Sequence, residues 1–234
     1  MKRPYIICHM ACSIDGRIIF ANWGNSIPSA KYLSLYNLCH DRYDSQGWLL
    51  GWVSLENDSS QEVLPDLIKP QMPLKRDPFV GDDQAETFAV IIDTKGNLVW
   101  RTNNIAGDHI IAILTEQVSD EYLYYLQRKS VSYIFAGVNE VDLKLAVEQL
   151  REIFSIERIM LEGDGCLNGS FFNAGLMDEI SLLLLPIADG TPHAQTVFEV
   201  SHPLRKNQAT HLHLAEVHQL EEDVLWLKYK INNK

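Results

Sequence analysis

The chain has little of what ties a protein to a membrane or to the secretory route. It has four cysteines in 234 residues, and no two of them form a C-x-x-C pair. Scattered cysteines of this kind are typical of a reducing compartment and do not indicate a zinc site. No apolar stretch is long enough to cross a bilayer, and the N-terminus does not resemble a secretion signal. The sequence therefore predicts a cytoplasmic protein with no membrane partner.

Positive charge is also scarce. The 20 Lys and Arg residues are outnumbered by 31 Asp and Glu, which gives a formal net charge of −11. No basic cluster is longer than Lys75-Arg76 or Arg205-Lys206. A surface that binds nucleic acid needs a basic patch, so we expect no such partner and look instead for a small-molecule substrate.

The sequence does contain a regular alternation of apolar runs and amphipathic segments. It predicts strands at Tyr5–Ala11, Gly47–Val53, Thr87–Asp93, His109–Thr115, Ser132–Ala136, Ile156–Leu161, Glu179–Pro186, His211–Val217 and Val224–Ile231, and helices at Ser29–Tyr43 (with a serine cap), Asp120–Arg128, Asp142–Ile153 and Leu167–Ala174. This alternation predicts an α/β protein with a mostly parallel central sheet flanked by helices. The last two strands predict an antiparallel C-terminal hairpin. The length predicts a single domain over residues 1–234.

The most informative segment is Leu161–Phe172, with the sequence LEGDGCLNGSFF. Three glycines, Gly163, Gly165 and Gly169, lie where a predicted strand leads into a predicted helix. Glycine lets the backbone approach a ligand, and the N–H groups that open a helix favour an anion. The segment is therefore a candidate cradle for a cofactor phosphate. A plain tight turn explains the same glycines, and the spacing is one residue longer than the dinucleotide fingerprint.

A second motif, Ala11–Ile18, has the sequence ACSIDGRI and directly follows the first predicted strand. In an open α/β sheet, the ligand crevice lies at the carboxyl ends of the strands. Two motifs that both lie at strand ends favour one shared crevice over two unrelated turns. Asp15-Gly16 taken alone is also compatible with a simple turn.

Together these segments resemble the pyrimidine reductase domain of riboflavin biosynthesis. Met10–Ile18 resembles its S-[LI]-D-G-R-I start, and Leu161–Phe172 resembles its E-G-G-x-L-x-G-x-[FL] cofactor loop. Ala174–Glu179 resembles A-G-L-[VI]-D-E, and Val90–Gly96 resembles [VI]-x-[LI]-D-x-x-G. The matches run in order through nearly the whole chain. The resemblance implies a dihydrofolate reductase-like fold, an NADPH-dependent reductase of a pyrimidine, pterin or related substrate, and a homodimer.

The resemblance also implies roles for residues at matching positions. Asp15 and Glu162 would be the catalytic carboxylates and would also bind the substrate, as would Ser13. The cofactor positions would be Ala11, Gly51, Ser54, Asp93, Thr94, Lys95, Gly163, Asp164, Gly165, Cys166, Leu167, Asn168 and Gly169, with Lys95 next to the 2′-phosphate. Trp23 either stacks on the substrate ring or caps the core. Structural roles stay open for both carboxylates: Asp15 as a turn former, and Glu162 as a strand-end group that binds backbone N–H groups.

Two departures from the family pattern leave other interpretations open. The chain has Gly51-Trp52-Val53-Ser54 where short relatives have G-R-x-T, and Asp164 stands where a small residue is usual. A carboxylate beside a pyrophosphate is unfavourable unless it turns away. The alternatives are a nucleotide-binding module of the same fold with lost catalysis, and an enzyme that uses NADH. The zinc deaminase motifs of bifunctional relatives are missing, so the sequence predicts a reductase alone, without a metal.

Overall fold

The computed structural model describes residues 2–19, 23–24, 28–51, 65, 67–200 and 209–232. The chain forms two compact units. Unit 1 consists of residues 1–4 and 46–159, and unit 2 consists of residues 5–45 and 160–234. In the described ranges, no helix has the length and apolar character that crossing a membrane requires.

Strands and helices alternate along most of the chain, as the sequence predicts. In chain order the described elements are β1 (Tyr5–Cys12), α1 (Ser29–Asp41), β2 (Gly47–Gly51), β3 (Phe88–Ile92), β4 (Asn104–Ile105), β5 (Asp108–Leu114), α2 (Asp120–Arg128), β6 (Ser132–Phe135), α3 (Leu143–Phe154), β7 (Arg158–Leu161), α4 (Gly165–Asn173), β8 (Glu179–Leu184), β9 (Leu212–Gln219) and β10 (Leu225–Ile231). The sequence did not predict the short strand β4. Strand β7 begins in unit 1 and ends in unit 2.

Unit 1 is built on strands in the order β4-β5-β3-β2, with β6 also paired to β5. Strand β3 runs parallel to both β2 and β5, and β6 runs parallel to β5. All five residues of β3 are buried, which explains their unbroken apolar sequence FAVII, because a parallel strand is covered on both faces. Helix α2 adds Tyr122, Leu123 and Leu126 to the core.

Local capping fixes where the unit 1 helices begin. The Ser119 side chain accepts from the backbone N–H of Tyr122 at the start of α2, and Asp142 accepts from two N–H groups at the start of α3. Side chains of this type satisfy the free N–H groups of a first turn. The serine cap predicted for α1 is wrong, because that helix begins at Ser29 itself and its N-cap, Pro28, offers no side-chain acceptor.

Unit 2 combines parallel and antiparallel pairing. Strand β1 lies between β7 and β8 and runs parallel to β8, while β8-β10-β9 is antiparallel.

The predicted α/β architecture, with a mostly parallel sheet and an antiparallel C-terminal hairpin, is confirmed. The hairpin turns at Glu222 and Asp223, whose φ angles are 56° and 57°. Two successive left-handed residues match the twist of a two-stranded ribbon.

Candidate functional site

Asp15 lies on the turn that follows β1, and its carboxylate is held by the protein's own donors. Its Oδ1 accepts from the Ser13 hydroxyl at 2.7 Å and from the backbone N–H of Asp189 at 3.0 Å, and its Oδ2 accepts from Gly190 N–H at 3.0 Å. These hydrogen bonds, that from Ser13 foremost, hold the pKa of Asp15 well below its usual range. Asp15 is therefore an anion that ties the 189–190 loop to the end of β1, and it is not suited to donating a proton.

Trp23 reaches the same loop. Its indole Nε1 donates to Asp189 Oδ2 at 2.6 Å, and the ring is buried. The structure thus brings Asp15, Ser13 and Trp23 together around Asp189. Ala11, which precedes Asp15 by four residues, is buried in β1, where it pairs with Leu183 of β8.

Glu162 follows β7 directly, and its partner is a residue that the sequence motifs did not indicate. Its Oε1 lies 2.7 Å from Nδ1 of His40, in the last turn of α1. Tyr36 lies one turn earlier on α1. Burial, and then the negative charge of Glu162, raise the pKa of Tyr36 well above its usual range. The Tyr36 hydroxyl donates to the backbone carbonyl of His9 at 2.9 Å. The Tyr36–His40 spacing of four residues, which puts both side chains on one helix face, is the sequence signal that points to this cluster.

The glycine-rich segment opens a helix instead of forming a turn with left-handed residues. Asp164 is the N-cap of α4, and its Oδ1 accepts from Leu167 N–H at 2.8 Å. Helix α4 therefore begins at Gly165, two residues before the predicted start at Leu167. None of Gly163, Gly165 and Gly169 has a positive φ, so the plain-turn explanation does not account for them either.

Gly165 and Gly169 are small because the chain itself passes over them. A Cβ on Gly165 would lie 2.2 Å from the carbonyl oxygen of Thr196, and a Cβ on Gly169 would lie 2.0 Å from that of Glu199. Gly165 O also accepts from Glu199 N–H at 2.7 Å. This face of α4 is packed against residues 196–199. Two acidic side chains, Asp164 and Glu199, lie at the start of α4. Asp164 directs its Oδ1 at the backbone N–H of Leu167 within the helix.

Asn168, inside α4, is fully buried. Its Nδ2 donates to the carbonyl groups of Gly163 at 3.0 Å and Val197 at 3.2 Å. Its Oδ1 has no hydrogen-bond partner among the described residues. A buried amide oxygen without a partner is costly, so it indicates a place for an N–H or O–H donor. Of the neighbouring predicted positions, Cys166 is exposed and Leu167 is half-buried.

The predicted positions in unit 1 surround the end of β3. The Asp93 carboxylate is buried and accepts from Asn97 N–H at 2.9 Å, Leu98 N–H at 3.3 Å and the Tyr122 hydroxyl at 2.7 Å. It therefore organises the turn that follows β3.

Of the next two positions, Thr94 is half-buried and Lys95 is exposed, so Lys95 reaches solvent. Gly51 is the last residue of β2. The predicted position Ser54 lies outside the described residues.

The described cations near the site already have partners. Arg17 donates to the carbonyl of Ala194, and Lys31 forms an ion pair with Glu222. The Arg42 guanidinium lies 5.5 Å from the centre of the Trp226 ring. In the part of the chain that the structure describes, no group of three or more His, Cys, Asp or Glu side chains is arranged to hold a metal ion.

These features define an α/β protein. In each compact unit, polar side chains directly follow strands: Asp93 follows β3 in unit 1, while Glu162 follows β7 and Asp15 lies on the turn after β1 in unit 2. The carboxyl ends of parallel strands are where such proteins bind ligands. Comparison with known proteins gives the family. The chain belongs to the RibD C-terminal domain family, whose sequence profile matches residues 4–226. It is a member of an oxidoreductase family, and the resemblance inferred from the motifs is confirmed.

Individual relatives extend over most of the chain. It is 28% identical over 226 residues to the 2,5-diamino-6-ribosylamino-4(3H)-pyrimidinone 5′-phosphate reductase of Methanothermobacter thermautotrophicus, a match that covers 95% of this chain and 96% of that protein. The structure of RibD from Acinetobacter baumannii is similar with a TM-score of 0.66 and 20% identity, over 98% of this chain but only 58% of that one. A pyrimidine reductase-like protein from Corynebacterium diphtheriae gives a TM-score of 0.65 at 13% identity, over 97% and 92% of the two chains. At these identities the solved structures show a shared fold.

Proposed function

We propose that this protein is an NADPH-dependent reductase of a pyrimidine that carries a ribosylamino phosphate group. The observation that carries the proposal is the match to the Methanothermobacter reductase over nearly the full length of both chains. The profile match through residues 4–226 supports a single reductase domain that includes both compact units.

On the substrate side, we assign Glu162 and Asp15 as the polar residues that face the pyrimidine, with Ser13 and Trp23 beside Asp15. The geometry supports two different roles. Asp15 is a fixed anion whose oxygens are already engaged, so it shapes the pocket and its charge. Glu162 follows β7 with a side chain that is 15% exposed and has a histidine partner, so it is the carboxylate suited to binding a substrate N–H group.

On the cofactor side, a bound nicotinamide dinucleotide supplies the hydride, and the protein supplies position and electrostatics. Two features fit such a group. The unpaired Oδ1 of buried Asn168 is an acceptor for a carboxamide N–H, and the exposed ammonium of Lys95 is a partner for a 2′-phosphate. The remaining residues assigned to the cofactor are Ala11, Gly51, Ser54, Asp93, Thr94, Gly163, Asp164, Gly165, Cys166, Leu167 and Gly169.

One observation favours a second candidate, a nucleotide-binding module with diverged catalysis. Asp164 and Glu199 both lie at the start of α4, where the sequence predicts the cofactor phosphate, and Glu199 Oε2 is 3.9 Å from the Cys166 sulfur. Two carboxylates lower the affinity of a helix N-terminus for an anion. Asp164 lowers this affinity less than a free carboxylate does, because its Oδ1 already accepts the backbone N–H of Leu167 in the helix cap.

Cofactor titration and turnover separate these candidates. We expect NADPH to quench the tryptophan emission of the protein more strongly than NADH at equal concentration. We also expect loss of NADPH absorbance when 2,5-diamino-6-ribosylamino-4(3H)-pyrimidinone 5′-phosphate is added. NADPH binding without turnover would favour the binding module, and equal responses to both cofactors would contradict the NADPH assignment.

The four cysteines are all free thiols in the structure, three of them buried, which supports our proposal of a cytoplasmic location. A homodimer is proposed on family resemblance alone. Sedimentation at micromolar concentration tests it, and a monomer there would contradict it.

A further inference from the structure

Glu162 depends on α1 for its orientation. Its side chain is 15% exposed and that of His40 is 22% exposed, so both groups have lost most of their water. A carboxylate in such a place is stable only when hydrogen bonds replace the lost water. The 2.7 Å contact between Glu162 Oε1 and His40 Nδ1 is short enough for a charge-assisted hydrogen bond.

His40 is placed to donate a hydrogen bond to Glu162 by its position on α1. It is in the last turn of the helix, where the backbone carbonyl groups favour a positive charge. The hydrogen bond with His40 fixes one carboxylate oxygen, and the Tyr36 side chain also interacts with the group. A carboxylate has about four lone-pair sites, so acceptor capacity remains for another donor.

The neighbouring histidine does not share this role. His9 is fully buried, its Nε2 lies 3.1 Å from the Tyr36 carbonyl, and its Nδ1 lies 2.9 Å from the Ser181 hydroxyl. A carbonyl only accepts, so Nε2 carries the proton and Nδ1 accepts from Ser181. Both ring nitrogens of His9 are therefore engaged away from Glu162. His9 supports Tyr36 and the helix behind the pair.

We propose that His40 is a positioning residue: it holds the Glu162 carboxylate so that its remaining acceptor capacity is directed at an N–H group of the pyrimidine substrate. This inference rests on the proposed function, because it takes Glu162 as a substrate contact. It assigns His40 no contact with the substrate or the cofactor.

The test compares three variants with the wild type. His40→Leu removes the donor, and we expect it to weaken pyrimidine binding and to lower kcat/KM by about tenfold, in line with the loss of one hydrogen bond to a charged group. His40→Asn keeps an N–H donor near the position of Nδ1 and is expected to restore most of that loss. His213→Leu, on the exposed face of β9, is the matched control and is expected to behave like the wild type.

Further measurements separate positioning from a merely structural role. We expect the NADPH dissociation constant of His40→Leu to stay within about twofold of the wild type, because one local contact is removed. In a Glu162→Gln background, His40→Leu should have little further effect on kcat/KM, since the two residues act through one contact. Equal losses of NADPH and pyrimidine affinity, or additive losses in the double variant, would overturn the inference.

Calorimetry with the pyrimidine alone distinguishes this failure from failure of the proposed function. A wild type that binds and reduces the pyrimidine while His40→Leu does so equally well overturns only the role of His40. A wild type that neither binds nor reduces it overturns both. If the wild type binds the pyrimidine but does not reduce it, the reductase proposal is wrong. In that case, equally tight pyrimidine binding by His40→Leu would still refute the positioning role.

Discussion

The Asp164 carboxylate closes the first turn of α4, with its Oδ1 2.8 Å from the backbone nitrogen of Leu167. The same residue stands where a small residue is usual in the family, so its charge and its capping function can be tested separately. Asp164→Asn keeps a side-chain acceptor and removes the charge. Asp164→Ala removes both.

We expect Asp164→Ala to lower the free energy of unfolding by about 1 kcal/mol, and Asp164→Asn to leave it nearly unchanged. If the cofactor phosphates lie at this helix start, both variants should bind NADPH at least as tightly as the wild type. Thermal unfolding and tryptophan quenching measure the two effects. Weaker NADPH binding by a stable Asp164→Asn protein would show that the carboxylate itself contacts the cofactor.

The two helical glycines of α4 predict a stability loss that does not depend on any ligand. Gly169→Ala and Gly165→Ala place a Cβ against backbone oxygens that cannot rotate away. We expect each to lower the free energy of unfolding by about 1–3 kcal/mol, the usual cost of overpacking. Ser170→Ala, on the exposed side of the same helix, is the control. Unchanged urea midpoints for both glycine variants would contradict the packing against residues 196–199.

Buried His9 predicts a loss of stability in mild acid. Burial lowers its pKa from 6.5 to about 4, so between these pH values the unfolded chain binds a proton that the folded protein does not. Stability therefore falls as pH drops below 6.5 and stops falling from this source near pH 4. One pKa unit corresponds to about 1.4 kcal/mol, so the total is roughly 3 kcal/mol. His9→Gln should flatten this part of a urea stability profile, and an unchanged profile would contradict the assignment.

Glu162→Gln and Asp15→Asn should lower turnover in different ways. Glu162→Gln is expected to reduce it on the order of a hundredfold while leaving stability and NADPH affinity close to the wild type. Each Asp15 oxygen accepts from one backbone N–H, and Asp15→Asn replaces one of them by an NH2 group, so it should also lower the melting temperature. Steady-state kinetics with melting curves checks both. Full turnover in the two variants would favour the binding module.

Lys95 tests the preference for NADPH. Lys95→Met removes an exposed ammonium that the proposal pairs with the 2′-phosphate, so NADPH affinity should fall by about tenfold and NADH affinity should not change. Lys144→Met, another exposed lysine of unit 1, is the control. An equal loss of affinity for NADPH and NADH would show that Lys95 does not contact the 2′-phosphate.

Patterns within short segments predicted the strands best. The run FAVII predicted β3 because burial on both faces demands apolar residues throughout, and the two residues that turn the hairpin lie between two clear strands. The start of α4 was predicted two residues late because its glycines suggested a turn. Their actual cause, the passage of residues 196–199 over the helix, is a long-range contact. The His40–Glu162 pair likewise joins residues 122 positions apart. The Tyr36–His40 spacing indicates a shared helix face, but no local pattern identifies Glu162 as the residue that this face contacts.

The pairing of β1 with β8 also determines when during synthesis each unit can form. Residues 7–12 of the nascent chain have their parallel partner in residues 179–184, so this part of unit 2 must wait until most of the polypeptide has left the ribosome. Unit 1 is almost entirely the uninterrupted stretch 46–159, and its contacts become available earlier. Contacts this distant in sequence slow folding, and a translation product that stops before Glu179 exposes an edge of a strand that is buried in the finished protein.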